Sequence, residues 1–372
     1  MRIGLIIYGS PDTLTGGYLY DRIVARGLVR LGHEVEMISL AGGAYLQRLW
    51  QGLSPGLYRR LQTGGFDILI QDELCHASLF LVNRRLERRG GPPRVALVHH
   101  ILSREPRRRW QNDLLAFAER LFLASVDGFI HNSRTTQRTV ASLVNHTRPE
   151  VIAYPAGDRF GRPLSHETIG RRAGGTSPLE LLFLGHVIHR KGLLPLLRAL
   201  SRVERGVWRL SVVGSLDFDT TYATKAKRLV RHLGLTDAVR FLGPVQDGEL
   251  KEILRRSHVF CMPYAYEGFG IAILEAMAFG LPAIGCRNGA AAETIRHGTN
   301  GYLLNSDDVA GLAPLLAELH GDRSQLRRMS LAARETYLAS PTWQDAVMAI
   351  DRFLRELRGD SVRPKPDGAA ET

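Results

Sequence analysis

The sequence predicts an α/β protein built from two tandem, doubly wound, Rossmann-like domains that face each other across a cleft. Three observations support this prediction: short apolar runs alternate with longer amphipathic stretches, the alternation stops at a glycine-rich segment, and it then restarts. Strands that alternate with helices of this length form right-handed β-α-β units and therefore a parallel sheet. The length of 372 residues also suits two domains, since one domain typically takes roughly 100–200 residues.

Six short apolar runs in the first half are predicted strands, and the four amphipathic segments among them are predicted helices. The strands are predicted at 3–8, 34–40, 67–71, 94–99, 128–131 and 150–153, and the helices at 17–31, 78–89, 107–125 and 133–144. The first run is too short for a signal peptide and ends in a glycine turn. We therefore interpret it as a buried strand.

The pattern breaks between residues 165 and 178, where Gly170, Gly174, Gly175 and Pro178 interrupt any period. This segment is the predicted linker. It divides the chain into a first domain at 1–165 and a second at 178–340. A last helix is predicted at 341–358, and the aperiodic tail at 359–372 is predicted to be disordered.

The second domain repeats the alternation of strands and helices. Its strands are predicted at 179–184, 208–213, 239–242, 258–262 and 282–286. Its helices are predicted at 193–203, 221–233, 248–256 and 271–279, followed by late helices at 309–320, 324–338 and 343–357. Open sheets of this kind bind ligands outside the carboxyl ends of their strands, so two facing sheets place a ligand between them.

The chain is basic, with a formal net charge of +12, and its arginines are densest between Arg84 and Arg120. A basic surface attracts anions such as nucleic acids, acidic lipids and phosphorylated small molecules. The sequence contains no nucleic-acid motif, so nucleic acid is not an expected partner. Two interpretations of the basic region stay open: a plain solvated face, or peripheral contact with an anionic membrane or a lipid-linked acceptor.

Three cysteines, Cys75, Cys261 and Cys286, lie far apart and lack the spacing of a metal site or a disulfide framework. We expect them to be small buried side chains in a reducing compartment. No stretch approaches about 18 uninterrupted apolar residues, so no membrane span is predicted. The expected location is the cytoplasm, with peripheral contact at the inner face of the membrane as an open addition.

The first candidate site lies in residues 263–285, which alternate between strand, loop, helix and strand. Glu275 falls inside an otherwise apolar helix, where a buried charge is costly unless it has a partner. Glu267 precedes Gly268 and Gly270, where backbone amides can approach an anion at the start of a helix. The two carboxylates can flank a polar ligand there; the alternative is a surface loop and the wet edge of a helix.

The second candidate site is the pair Arg190 and Lys191, which follows the first strand of the second domain and opens a helix. Two cations at a helix N-terminus oppose its usual preference for negative charge. An anion such as a diphosphate between them relieves that conflict, since arginine clamps with two hydrogen bonds and lysine acts as a mobile charge. The alternative is a pair of solvated charges.

Two further motifs follow predicted strands of the first domain. Gly16-Gly17 opens a helix, where backbone amides can meet a phosphate, although the G-x-G-x-x-G dinucleotide pattern is absent. His99-His100 ends a strand whose carboxyl end is expected at the cleft, where the imidazoles can contact a sugar or a phosphate. A simple turn and two structural histidines are the alternatives.

Two acidic pairs are weaker candidates. Asp217 and Asp219 have the D-x-D form that can hold a metal, but a helix cap explains them equally well, and we predict no metal site. Asp72 and Glu73 end a strand on the cleft side and, with Tyr18 and His100, are candidate acceptor contacts.

These motifs resemble the GT-B-fold glycosyltransferases of family 4, the large group of retaining enzymes. The strongest match is the E-x7-E pattern from Glu267 to Glu275, within Tyr-Glu-Gly-Phe-Gly and followed by Glu-Ala-Met-Ala-x-Gly-x-Pro. The resemblance extends over about residues 1 to 357. Its other matches are Lys191-Gly192-Leu193, Gly16-Gly17, His99, Asn288-Gly289, Glu293 and residues 298–303.

The resemblance implies a GT-B architecture, with an acceptor domain at 1–165, a nucleotide-sugar donor domain at 178–340, and a last helix near Trp343 that crosses back to the first domain. It implies transfer of a hexose-like sugar from a UDP-, GDP- or ADP-sugar to a glycan, lipid-linked or small-molecule acceptor, with retention of configuration. The nucleotide sugar is a co-substrate, and no permanently bound cofactor or metal is expected.

The resemblance also implies a role for each candidate residue. Glu275 holds the ribose hydroxyls, and Glu267 holds the donor sugar together with the amides around Phe269 and Gly270. Arg190 and Lys191 neutralise the leaving diphosphate, and His99 lies near the reacting sugar. The remaining implied donor-binding residues are Gly16, Gly17, Gly268, Phe269, Gly270 and Ile271.

One position departs from the family pattern, because His186 stands where members usually carry the arginine of a Gly-Arg pair. We expect Arg190, beside Lys191, to supply the missing charge. The departure keeps open a catalytically silent nucleotide-sugar-binding partner. A nucleotide-sugar epimerase or a glycoside phosphorylase on the same plan also stays open, whereas a dehydrogenase is disfavoured by the absent dinucleotide glycines.

Overall fold

The computed structural model describes residues 1–11, 13, 15–105, 107–263, 267–305 and 311–359. Within them the chain forms two parallel six-stranded sheets flanked by helices, which confirms the predicted fold class. The first sheet has the order β2-β1-β3-β4-β5-β6 and the second the order β12-β11-β10-β7-β8-β9. The predicted tail from residue 360 onward lies outside the described residues.

The first sheet is built from the apolar runs that the sequence predicts, with ends shifted by a residue or so. Its strands are β1 (Arg2–Tyr8), β2 (Glu34–Leu40), β3 (Ile68–Asp72), β4 (Arg94–Val98), β5 (Gly128–His131) and β6 (Glu150–Ile152). Its helices are α1 (Gly16–Arg30), α2 (Tyr45–Gln51), α3 (Pro55–Thr63), α4 (His76–Arg88), α5 (Arg109–Leu123) and α6 (Arg134–Leu143). Strands β1, β3 and β4 are almost wholly buried, as the strands of a sheet covered on both faces must be.

The second sheet follows helix α7 (His166–Ala173). Its strands are β7 (Leu179–Leu184), β8 (Trp208–Val213), β9 (Val239–Gly243), β10 (Val259–Cys261), β11 (Ala283–Cys286) and β12 (Gly301–Leu304). Its helices are α8 (Leu193–Leu200), α9 (Thr220–His232), α10 (Asp247–Arg256), α11 (Ile271–Ala278), α12 (Ala291–Thr294), α13 (Leu312–Gly321) and α14 (Arg323–Leu338).

The last helix, α15 (Trp343–Arg358), packs on the first sheet rather than the second. It lies against α1 so closely that a Cβ atom added to Gly27 would come within 2.5 Å of Val347 Cγ2. Trp343 and Ile350 belong to the same buried cluster as the side chains of β1. The chain therefore returns to the first domain after it completes the second.

Several local predictions were wrong. The predicted linker contains α7, which buries Ile169 and Ala173 and packs against α14. Helices α2, α3 and α12 and strand β12 were not predicted, because these elements are short or interrupted by glycine and proline. The late helix predicted from residue 309 is described from Leu312, and residues 309–310 lie outside the described part.

The predicted burial of the cysteines was confirmed. All three cysteines are buried and free, so none forms a disulfide. Among the described helices, none is both long and apolar enough to cross a lipid bilayer.

Candidate active site

The candidate residues follow the strands at which the order of each sheet reverses. In the second sheet this point lies between β7 and β10, and the loops after these strands carry Arg190, Lys191 and Glu267. In the first sheet it lies between β1 and β3, which are followed by Gly16-Gly17 and by Asp72-Glu73. Open α/β sheets bind ligands outside the carboxyl ends of strands at such a reversal. Topology thus collects residues that are far apart in the sequence.

The two domains touch through the backbone at Gly268. A Cβ atom added to Gly268 would lie only 1.9 Å from the carbonyl oxygen of His99 in the first domain. The Gly268 carbonyl accepts a hydrogen bond from Ser133 Oγ at 2.7 Å, and the His99 carbonyl accepts one from Asn132 Nδ2 at 3.0 Å. The absence of a side chain at Gly268 is therefore what allows the domains to approach this closely.

The glycine pair at the start of α1 lies at the same junction. A Cβ atom on Gly16 would lie 3.6 Å from Ile271 Cδ1, and one on Gly17 would lie 3.7 Å from the His99 ring. Thr15 caps α1 through its side-chain oxygen, which accepts from the Tyr18 amide. The structure thus brings Gly16, Gly17, His99, Gly268 and Ile271 together.

A second contact between the domains involves Glu293, at α12. Its carboxylate accepts hydrogen bonds from the backbone amides of Arg134 and Thr135 at 3.0 and 2.7 Å. It also accepts from the Tyr154 hydroxyl at 3.2 Å. A carboxylate at the N-terminus of α6 satisfies amides that have no partner within the helix. Sequence reasoning placed Glu293 in a donor-domain segment but gave no sign of this contact.

Two cations converge on one carboxylate beside this junction. Arg190 Nη1 and Lys191 Nζ lie 2.9 and 2.6 Å from the same oxygen of Glu267. Glu105, from the loop after β4, lies 3.4 Å from Arg190 Nε. Glu105 also pairs with Arg107 and with His100, so its charge is shared. The cluster therefore has an excess of positive charge that can meet a further anion.

The pKa shifts of this cluster follow from burial and from its charges. Burial alone would raise the pKa of Glu267, but Lys191 and Arg190 lower it to about 2. Burial and the neighbouring Arg190 lower the pKa of Lys191, although Glu267 opposes this shift. Glu267 is thus held ionised, while the charged form of Lys191 is less stable than that of a lysine in water. A second anion near Lys191 would stabilise its charged form.

Glu275 has a partner that the sequence did not suggest. Only 3% of Glu275 is exposed, and both of its carboxylate oxygens accept hydrogen bonds from Arg159. Arg159 also pairs with Asp247 at 2.8 Å. Burial raises the pKa of Glu275, and the Arg159 charge opposes that rise. The expectation that a charge inside this apolar helix needs a partner is therefore met, by an arginine from the segment between the sheets.

His99 lies in the first domain, paired to a carboxylate. Its Nε2 lies 2.8 Å from Oδ1 of Asp21 in α1, and its ring packs edge-on against Tyr20. Burial would lower the pKa of His99, but the Asp21 carboxylate outweighs burial and the pKa is raised. Sequence reasoning did not single out Asp21, because nothing local links α1 to the end of β4.

The candidate acceptor residues lie deeper than the sequence suggested. Asp72 is 3% exposed and its carboxylate accepts from the Leu74 amide at 3.0 Å, while Glu73 has no exposed surface. Tyr18 is half-buried and donates its hydroxyl to the Tyr8 carbonyl at 2.5 Å. Their acceptor role stays a prediction.

Local contacts explain both Asp219 of the D-x-D motif and the histidine at position 186. Asp219 accepts from the Tyr222 amide at 2.9 Å and caps α9. The His186 ring stacks on Phe218, with ring centroids 4.0 Å apart. Stacking on Phe218 thus holds the His186 side chain. Arg190, which follows His186 in the chain, pairs with Glu267.

Comparison with known proteins covers both domains. A family model described as glycosyltransferase family 4 matches residues 22–154, and one described as glycosyl transferases group 1 matches residues 171–336. The chain is 28% identical over 348 residues to an uncharacterised glycosyltransferase of Methanocaldococcus jannaschii, across 83% of this chain and 87% of that protein.

Solved structures share the fold at low sequence identity. A sucrose-phosphate synthase from Thermosynechococcus elongatus superposes with a TM-score of 0.81 at 19% identity, over 97% of this chain and all of that one. Anabaena HepE in complex with UDP-glucose superposes with a TM-score of 0.75 at 18% identity, over 96% of this chain and all of that one. The two-sheet architecture is therefore the one that these proteins use.

Proposed function

The chain belongs to the family 4 glycosyltransferases with the GT-B fold, and from this premise we propose that it moves a sugar from a nucleotide-diphosphate sugar to an acceptor with retention of configuration. One observation carries the proposal: Arg190 and Lys191 converge on the same carboxylate oxygen of Glu267 at the carboxyl edge of the second sheet. Such a site attracts a diphosphate and does not need a metal ion for that purpose.

The charge distribution suits sugar transfer. The transition state for breaking a glycosidic bond is oxocarbenium-like, and here the leaving diphosphate gains negative charge as the bond breaks. Arg190 and Lys191 stabilise this growing charge more than they stabilise the bound donor, which is how fixed charges accelerate a reaction. Glu267 orients both cations and contacts the donor sugar, together with the amides near Phe269 and Gly270.

The remaining candidate residues take supporting roles in this proposal. Glu275 binds the ribose hydroxyls and exchanges part of its contact with Arg159 for them. His99, held by Asp21 at 2.8 Å, lies beside the reacting sugar. Gly16 and Gly17 present α1 amides to the phosphates when the domains close. Closure excludes water, which otherwise competes with the acceptor.

A thermal-shift panel tests the donor site. Wild-type protein and Glu275→Ala are mixed with UDP, GDP, ADP and their common sugars, and melting is followed. We expect one nucleotide series to raise the Tm of the wild type, since a ligand at 100 times its Kd stabilises by about 2.7 kcal/mol. Glu275→Ala should lose that shift, whereas Glu249→Ala, a surface change on α10, should keep it. A wild type that responds to no nucleotide contradicts the donor-site assignment.

Turnover distinguishes the alternatives. A silent binding partner would bind the nucleotide sugar but release no nucleotide when candidate acceptors are added. An epimerase would return an altered nucleotide sugar without using an acceptor. The proposed transferase should release nucleotide in step with a glycosylated product whose anomeric configuration, read by NMR, matches the donor.

We propose that the acceptor is lipid-linked, because one exposed face of α5 suits contact with a membrane. Trp110, Leu114 and Phe117 follow one another along one face of α5, and each is more than half exposed. Arg108 and Arg109 stand at the start of the same helix and are exposed. An exposed apolar stripe bordered by arginines suits the headgroup region of an anionic bilayer.

Vesicle sedimentation tests this surface. We expect the protein to sediment with phosphatidylglycerol vesicles at low salt and less so at high salt, because headgroup attraction is screened. The double variant Trp110→Ser/Phe117→Ser should lose most of this binding, and Leu338→Ser, an exposed change on α14, should keep it. Equal binding to phosphatidylcholine and phosphatidylglycerol vesicles at low salt would sink the membrane proposal.

A further inference from the structure

A buried group of potential metal ligands lies beneath the first sheet's carboxyl edge. It consists of Glu73 after β3, His76 at the start of α4 and Glu119 in α5, with one ligand atom of each within 4.8 Å of the others. The exposed fractions of the three residues are 0, 1 and 0%. Three separate elements thus direct polar side chains to one point in the interior.

The charges of this group are not balanced by the described protein. Both carboxylate oxygens of Glu73 are buried without a hydrogen-bond partner among the described residues. The Nδ1 of His76 lies 3.3 Å from Glu73 Oε1 but also 3.0 Å from the Glu73 carbonyl, and burial lowers the pKa of this imidazole. Glu119 accepts from the amide and hydroxyl of Ser103, which are neutral. Burying two carboxylates without counter-charge is expensive.

Neighbouring charged groups do not remove the imbalance. Asp72, next in the chain to Glu73, adds a third buried carboxylate, and the nearby His99 is already paired with Asp21. Arg48, on α2, lies over the Tyr8 ring, with its guanidinium carbon 4.5 Å from the ring centre. A compact dication at the centre of the group would offset two of the negative charges.

We propose that Glu73, His76 and Glu119 bind one divalent transition-metal ion, with Zn²⁺ as the first expectation, as a structural site of the first domain. Two carboxylates and one imidazole form a donor set that Zn²⁺ uses, and a hydroxyl or a water can complete four ligands. The Tyr45 hydroxyl lies 3.1 Å from His76 Nε2, where it can orient the imidazole. The three ligand atoms lie within 4.8 Å of one another and would move to about 2 Å from the ion when it binds.

This site is separate from the proposed donor site. Among the described residues, none of the three makes a hydrogen bond or an ion pair with Arg190, Lys191 or Glu267. The ion would instead fix the connection from β3 to α4 against α5. Failure of the metal proposal therefore leaves the donor site untouched, and the reverse also holds.

Metal analysis of the full chain tests the proposal. We expect about one equivalent of metal after purification without chelator, loss of that metal in EDTA, and a fall in Tm of several degrees that added Zn²⁺ reverses. Glu73→Gln and Glu119→Gln should each bind less than a tenth of an equivalent. Glu87→Gln, an exposed change on α4, should bind metal like the wild type.

A second measurement needs no variant and so does not depend on variant folding. Co²⁺ added to the chelated wild type should give the visible absorption of a four-coordinate site with nitrogen and oxygen ligands. The proposal is overturned if neither Zn²⁺ nor Mn²⁺ binds stoichiometrically, if the Tm ignores both EDTA and metal, and if Co²⁺ keeps its aqueous spectrum. Protons on the carboxylates of Glu73 and Glu119 would then neutralise the buried charge.

Discussion

The Lys191→Met variant is expected to transfer sugar about 100 to 1000 times more slowly than the wild type, the loss typical of removing one group that stabilises developing negative charge. Methionine keeps the length and packing of the lysine stem but removes the charge 2.6 Å from Glu267. The measurement is kcat for donor turnover with a working acceptor. Removal of Lys191 should lower kcat more than it weakens binding of the intact donor, because charge on the diphosphate grows in the transition state.

Two controls make this result interpretable. Lys227→Met, on the exposed side of α9 in the same domain, should leave kcat unchanged. Far-ultraviolet circular dichroism should match between Lys191→Met and the wild type, since removing one of two cations leaves Glu267 paired with Arg190. A fall of less than threefold would mean that Arg190 alone stabilises the leaving group, or that the diphosphate binds elsewhere.

Gly268→Ala is expected to reduce kcat by about 100-fold or more, because a displacement of roughly 1 Å in reacting groups can cost that much. The added Cβ atom would lie 1.9 Å from the backbone oxygen of His99, and a backbone atom cannot rotate away as a side chain can. The two domains must move apart to admit the methyl group. Nucleotide affinity should change less than kcat, since Glu275 and Lys191 both lie in the second domain. Kinetics and nucleotide titration together check this prediction.

The matched control is Gly248→Ala in α10, where an added Cβ atom meets nothing within 4 Å. That variant should behave like the wild type in both assays. With nucleotide bound, small-angle scattering should show a larger radius of gyration for Gly268→Ala than for the wild type or Gly248→Ala. Unchanged turnover by Gly268→Ala would show that close contact between Gly268 and His99 is not needed in the reactive state.

Periodicity was enough to predict the sheets, because a buried strand and an amphipathic helix leave different marks in the sequence. The region between β2 and β3 was different. Gly52, Pro55 and Gly56 interrupt it, so α2 and α3 have too few turns to show a period. The helix α7 was concealed in the same way by Gly170, which lies within it.

The candidate site could be predicted only in part, for a physical reason. Arg190, Lys191 and Glu267 lie in loops directly after strands, so their positions follow from the rule that parallel strands end at one edge. Arg159 and Asp21 could not be found in that way. Arg159 lies 116 residues from Glu275, and Asp21 lies 78 residues from His99. Each pairing depends on how folded elements pack, which local patterns do not record.

The return of α15 to the first domain affects how the protein can be made. Trp343 and Ile350 fill part of the same apolar cluster as the side chains of β1 and α1. On the ribosome, domains generally fold in the order in which they emerge, but this first domain keeps an apolar face open until α15 leaves the exit tunnel. The second domain can close its own core before then. The first domain thus starts to fold first and completes its fold last. Chaperones that shield apolar surface therefore have the most time to bind at the groove that α15 later fills.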